Sequence, residues 1–177
     1  MSSIVTISAN NWLGMWMGLE MNMMSFIPFI SKNKDKKSSQ AMMIYFLSQS
    51  MGSIIILFSV MFNSLMFMSP LQTYEPVHFM LMIGTLIKMG AAPFHFWFPE
   101  MMANLNWNEC MSLMTWQKIA PLFIMNSIMT NNWFIYLSIS LSAIMGGVGG
   151  LNQTSLRKIL AYSSISHLGW IMAFMTV

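Results

Sequence analysis

The stretch "GTLIKMGAAPFHFWFPE", Gly84 to Glu100, decides how this chain is to be read. It lies in one of the most apolar parts of the sequence, yet Lys88 stands in its middle, and Gly90, Ala91, Ala92 and Pro93 follow at once. Pro93 cannot donate to the carbonyl of Met89, and Gly90 loosens the same turn. A cation beside a helix break in an oily run is expensive in any apolar medium. Such a break survives in lipid only where it faces protein or a wet cavity. The stretch therefore predicts a helix interrupted inside a membrane, with its lysine held at a hydrated break.

Composition agrees with that solvent. Of 177 residues, 56% are hydrophobic and only 7% are charged, against roughly 25% charged in a soluble domain. So few charges cannot cover a water-facing surface, and the reading is a polytopic, all-α membrane bundle with broken helices, a single domain over 1–177. The one cysteine, Cys110, excludes a disulfide within the chain and a cysteine-built zinc or iron–sulfur site made by this chain alone. No basic targeting segment opens the sequence, and Glu20 interrupts the first apolar stretch.

Candidate spans run over 11–31, 41–68, 77–99, 110–129, 133–151 and 159–177, with 1–8 as the tail of a further span. Both ends of the chain fall in apolar runs, so a fragment is expected. Counting crossings puts "KNKDKK", Lys32 to Lys37, on the same side as Arg157 and Lys158, while the loops "SPLQTYEP", Ser69 to Pro76, and Thr130 to Asn132 fall on the other. The loop after the Lys88 span is placed at Glu100 to Glu109. Every loop lysine and arginine is then on one side, the positive-inside pattern. The basic run is an orientation signal, not a nucleic-acid patch.

Four ionisable residues stay inside the spans. Glu20 lies one residue from the centre of Trp12–Ile30, Lys88 is the central residue of Val77–Pro99, and Lys118 and His167 each lie about one residue from the middle of theirs. A lysine or acid at that depth costs about 2.5–3.5 kcal/mol on the insertion scale, and intramembrane charges by default mark function. The alternative is a set of buried pairs that only lock helices together. For His167 it is a neutral histidine with one hydrogen-bond partner. Pro121 leaves the carbonyl of Gln117 without its helical donor, so both lysines are expected within a turn of freed carbonyls, where partial negative charge favours a cation.

Other signals are weaker. "GGVGG", Gly146 to Gly150, reads as close helix packing. No dinucleotide fingerprint or P-loop is present, so NADH, flavin and iron–sulfur clusters have no site here. Trp12, Trp16, Trp97, Trp107, Trp133 and Trp170 lie near span ends as interfacial anchors do, and Trp116 is expected to pack in the interior. The 24 methionines suggest a mitochondrial reading of the genetic code.

The motifs "GLEMNMMSFIP" (18–28), "MGAAPFHFWFPE" (89–100), "TWQKIAP" (115–121) and "GGLNQTSLRKILAYSSISHLGW" (149–170) closely resemble the antiporter-like membrane subunits of mitochondrial NADH–ubiquinone oxidoreductase, respiratory complex I, with methionine-rich spacers of the insect type. The resemblance spans essentially the whole chain. It implies a multi-pass subunit of the mitochondrial inner membrane that translocates protons. Glu20, Lys88 and Lys118 would be its proton-pathway residues, and His167 a member of the central polar axis. It also implies the lipid bilayer and other complex I membrane subunits as partners. NADH, FMN, iron–sulfur clusters and ubiquinone would sit on partner subunits, none on this chain, and nucleic acid would play no part. A cation/proton antiporter subunit of the same broad family and a structural membrane scaffold are the competing readings.

Overall fold

The computed structural model describes residues 2–32, 35–66, 74–128 and 133–176, with side chains for all of these except 64–66, 74 and 75. Asn33, Lys34, residues 69–73 and Thr130 to Asn132, from the expected loops, lie outside the described residues, as do Met1, Phe67, Met68, Met129 and Val177 at the edges of the expected spans. Among the described residues the chain forms eight helices and no strand: α1 Ser2–Ser8, α2 Trp12–Ser31, α3 Lys36–Met66, α4 Tyr74–Met89, α5 Trp97–Asn104, α6 Trp107–Ile128, α7 Trp133–Leu151 and α8 Leu156–Met175.

The bundle is apolar outside, and its polar side chains within the spans are largely turned inward. On α3 the exposed residues Met43, Leu47, Met51, Ile54, Phe58 and Met61 recur every three or four positions, one continuous stripe. The opposite face of the same helix buries Tyr45, Gln49, Ser53 and Ser59. A stripe of that size facing water would be an interaction or aggregation surface; facing lipid it is ordinary. By length and hydropathy Lys36–Asn63 and Trp133–Leu151 can cross a membrane, and Pro76–Met89 is a shorter apolar helix. Helices α2, α6 and α8 are of spanning length but less apolar, because they carry Glu20, Gln117 with Lys118, and His167 with a run of serines.

Three expectations about the elements are corrected. The span placed at 77–99 is two helices. α4 stops at Met89, and α5 begins at Trp97 and continues through the residues expected as a loop, Glu100 onward, to Asn104. Gly90 does more than loosen a turn: at φ 69° it takes the left-handed conformation that closes a helix. The amide of Ala91 donates to Leu86 and that of Gly90 to Ile87, the paired bonds of a glycine-closed terminus. The Ala92–Pro93 bond that follows is cis. Pro121, by contrast, does not interrupt α6. One missing donor is absorbed because the turns on either side keep theirs. Finally, α3 starts at Lys36, not Ala41: the Asp35 carbonyl accepts from the Ser39 amide at 3.1 Å and begins the helix inside the basic run.

Two apolar clusters divide the interior. One joins Ile30 of α2, Ala41 of α3, Met101 of α5, Cys110 of α6 and Ala161 of α8. The other joins Val77 of α4, Ile128 of α6, Ile135 of α7 and Met172 of α8. The first gathers the end of α2 with the starts of α3, α6 and α8, so the residues flanking "KNKDKK" and those of Arg157–Lys158 share one end of the bundle. At that end Arg157 ties α8 to its neighbours: its Nη1 donates to the Ala103 carbonyl at 3.5 Å, and its guanidinium lies 5.5 Å from the Trp107 ring. Glu109 accepts from the Asn106 amide at 3.0 Å and caps α6, the N-x-x-E signature of a helix start.

Candidate functional site

Between the two apolar clusters lies a polar layer. Lys88 ends α4, and its Nζ is 3.8 Å from Oε1 of Glu20 on α2. The lysine side chain is 1% exposed and the glutamate side chain 22%, with the facing oxygen Oε1 itself buried. At that separation the groups attract as an ion pair, but they are too far apart for a hydrogen bond, and neither atom has a hydrogen-bond partner among the described residues. The stem of Lys88 needs room to reach this place. Gly52 of α3 provides it, since a Cβ there would stand 2.8 Å from Cγ of Lys88.

Two carbonyls in the last turn of α4 are engaged by side chains. The Trp97 indole donates to the Ile87 carbonyl at 3.2 Å, and the Gln49 amide donates to the Lys88 carbonyl at 3.1 Å. Both acceptors thus have fixed partners, and the ammonium group is directed to Glu20. Trp97 is therefore a clamp on the break, not an interfacial anchor. Trp16 is likewise turned inward, its indole donating to the Ser53 carbonyl at 3.1 Å. Trp116 is 48% exposed and faces outward, against the expectation that it packs.

Lys118, on α6, is buried, with its Nζ 4.4 Å above the centre of the Phe98 ring. A cation in that place is held by the negative face of the ring. Lys88 and Lys118 line one cavity of about 20 Å³, whose other polar groups come from Asn22, Tyr45, Gln49 and Gln117. Lys118 also lines a groove of about 390 Å³ between α6 and α8, together with Thr115, Ser163, Ser164 and His167. His167 is exposed on this face of the chain, not enclosed. The structure thus brings Glu20 and Lys88 into contact, sets Lys118 across a small cavity from Lys88, and places His167 beyond Lys118 on an open face. Among the described residues no group of three histidine, cysteine or acidic side chains stands close enough to hold a metal ion.

The sequence reading missed the neutral members of this layer. Tyr45, Gln49 and Ser53 follow at i, i+4 and i+8 on α3, a polar stripe in a span with no charge. That period was available as a signal and pointed to a buried polar face.

Residues 9–177 match the family described as NADH:quinone oxidoreductase/Mrp antiporter, TM. The chain belongs to this family. Relatives named NADH-ubiquinone oxidoreductase chain 2 include that of Locusta migratoria, 45% identical over 177 residues, and that of Anopheles gambiae, 48% identical over 175 residues. These matches take in 100% and 98% of this chain but 52% and 51% of the relatives, so the chain spans about half the length of the proteins it matches. In fold it is similar to a chain of respiratory complex I from Thermus thermophilus, with a TM-score of 0.87 at 21% identity, over 98% of this chain and 42% of that one. It is also similar in fold to a chain of a membrane-bound sulfane sulfur reductase, an archaeal respiratory complex, with a TM-score of 0.79 at 15% identity, over 99% of this chain and 41% of that one. Membership makes the chain a membrane protein, which accounts for the outward apolar stripe of α3.

Proposed function

We propose that this chain is part of the proton-translocating membrane arm of an NADH–ubiquinone oxidoreductase in the mitochondrial inner membrane. Partner subunits would oxidise NADH and reduce ubiquinone through FMN and iron–sulfur clusters, and other membrane subunits of respiratory complex I would flank the bundle. The observation that carries this reading is the Glu20–Lys88 pair at 3.8 Å, buried at a helix break and sharing one polar layer with Lys118.

A pair of this kind can couple charge to proton movement. Opposite charges about 4 Å apart attract by about 4 kcal/mol at an effective dielectric constant of about 20. Moving one charge against ~180 mV costs about the same. Making and breaking the pair therefore matches the work of one proton crossing. In the proposed cycle Lys88 takes or gives a proton as its carboxylate partner approaches or leaves, and Lys118 is the next acceptor, steadied meanwhile by the Phe98 ring.

The test uses the full-length chain in the assembled enzyme. Lys88→Met and Lys118→Met should each lower NADH-driven proton uptake in reconstituted vesicles while assembly persists. Unchanged uptake per NADH in both variants would remove the proton role. Cation-dependent proton exchange without NADH would replace it with an antiporter.

A further inference from the structure

We infer that a cavity at the end of the bundle opposite the basic loops is a phospholipid site, in which Trp12, Asn63 and His78 bind the phosphodiester and ester oxygens of one lipid. The inference does not depend on the proton-carrying role proposed above.

The cavity lies where the start of α2, the end of α3 and the start of α4 meet. Its volume is about 150 Å³, and Trp12, Val60, Asn63, Val77, His78 and Leu81 line it. Trp12 is the first residue of α2, Asn63 stands three residues before the end of α3, and His78 stands four residues after the start of α4. At 1.5 Å per residue, all three lie within about 6 Å of a helix end. That is the depth of the lipid headgroups, since a hydrocarbon core of about 30 Å becomes about 40–45 Å with its headgroup regions.

The polar side chains of this wall are uncommitted. Nδ1 of His78 is enclosed and has no hydrogen-bond partner among the described residues. It faces no acceptor, so in the neutral ring the proton belongs on Nε2, the nitrogen left to meet an occupant. Among the described residues the Trp12 indole and the Asn63 carboxamide make no hydrogen bond either. The indole is a donor only, and the carboxamide carries two N–H donors beside its oxygen. Three side chains from three helices thus offer N–H groups to one space. An occupant that satisfies them must be rich in acceptors.

Among the described residues no lysine, arginine or carboxylate lines the cavity. Free phosphate would have to leave water for neutral donors alone, with no cation to offset its charge. A lipid phosphodiester is carried to this depth by its own acyl chains. The remaining wall, Val60, Val77 and Leu81, is apolar and suits the first carbons of those chains. Each of the three helices also carries an exposed apolar residue within two positions of the cavity: Leu13, Met61 and Met80. These extend the apolar surface toward the acyl region. Water alone fits poorly, because the volume is about ten times the 10–15 Å³ that one molecule needs and half of the wall gives it no partner.

The test uses the assembled enzyme with its full-length chain, in detergent, titrated with phosphatidylcholine that carries a diazirine on its headgroup. After irradiation and digestion, mass spectrometry should find a saturable label at Trp12 and at Val77–Leu81. Unlabelled phosphatidylcholine should displace it, and inorganic phosphate should not. Trp133 is exposed at the same end of the bundle and reports ordinary lipid contact, so its label should not saturate. His78→Phe keeps a ring of similar size and removes the donor. It should lower the label at Trp12 about threefold to tenfold, the worth of one hydrogen bond, and leave that at Trp133 as it was. Should His78→Phe fail to assemble, Asn63→Leu decides by the same readouts. Equal labelling of parent and assembled variant would overturn the inference. So would a label at the cavity that rises without saturation as at Trp133, which would mean lipid contact with no site. Displacement by phosphate would assign the cavity to a free anion, and no label at all would mean that water or another part of the enzyme fills it; either result rejects the lipid.

Discussion

Replacing Glu20 by glutamine removes one charge and almost no volume. In the structure that charge stands 3.8 Å from the Lys88 ammonium, and the lysine side chain is 1% exposed. At about 4 Å and an effective dielectric constant of about 20 the lost attraction is about 4 kcal/mol, equivalent to about three powers of ten in an equilibrium constant. Screening around the glutamate side chain, 22% exposed as a whole, offsets part of it, so a fall in proton uptake of about tenfold or more is expected, from about 1.4 kcal/mol upward. Glu20→Asp keeps the charge and shortens the side chain by one methylene, which lengthens the pair without abolishing it, and should retain several times the activity of the amide. The assay is NADH-driven proton uptake in vesicles containing the full-length chain, at equal levels of assembled complex. Matching assembly matters because breaking a buried pair from one side leaves an uncompensated charge. A residue that only locks helices by hydrogen bonding would rank the variants the other way, since glutamine still bonds and fills the site. If Glu20→Gln pumps better than Glu20→Asp, the electrostatic account is wrong.

Three further outcomes are expected. Lys88→Met and Lys118→Met should each impair pumping with assembly retained, and a normal ratio of protons to NADH in both would contradict the site. Cysteines placed at Lys37 and at Lys158 should label from the same face with an impermeant maleimide, and one at Pro76 from the opposite face; Cys110 is buried and gives no background. Labelling of Lys37→Cys and Lys158→Cys from opposite faces, in mitoplasts against inverted vesicles, would overturn the span order. Gly90→Ala puts a side chain on a residue at φ 69° and should destabilise the assembled protein by about 1–2 kcal/mol, seen as faster thermal inactivation; unchanged inactivation would mean the break relaxes to another closure.

Much of this was legible from charges in the wrong solvent. Glu20 and Lys88 each break an apolar run, and the fold brings them together. Lys118 was found the same way and shares a cavity with Lys88. Loop charge placed the starts of α3 and α8 at one end, where Ala41 and Ala161 meet in one cluster. What the sequence hid was of two kinds. Proline and glycine announce a disturbance but not its form. Pro121 sits in an unbroken helix, whereas Gly90 closes one, because only Gly90 adopts the left-handed conformation and is followed by a second bond from Ala91. Neutral polar residues were also overlooked, since Tyr45, Gln49 and Ser53 carry no charge and stand out only by their period. Trp97 and Trp16 were assigned by position along the spans, but their indoles serve specific carbonyls in the interior.

The division of the interior into two apolar clusters with a polar layer between them has an electrical consequence. Apolar packing above and below is a poor dielectric, and the layer holding Glu20, Lys88 and Lys118 is more polarisable. In such a stack a membrane voltage would drop mainly across the two apolar clusters, and the layer between them would be close to an equipotential. Under the proposed role, a proton passing sideways from Lys88 to Lys118 would then do almost no work against the field. The cost of about 2.3 kcal/mol per 100 mV falls on the steps that bring protons into the layer and release them from it. Membrane potential should therefore govern when the layer fills and empties, and leave the rate of transfer within it nearly untouched.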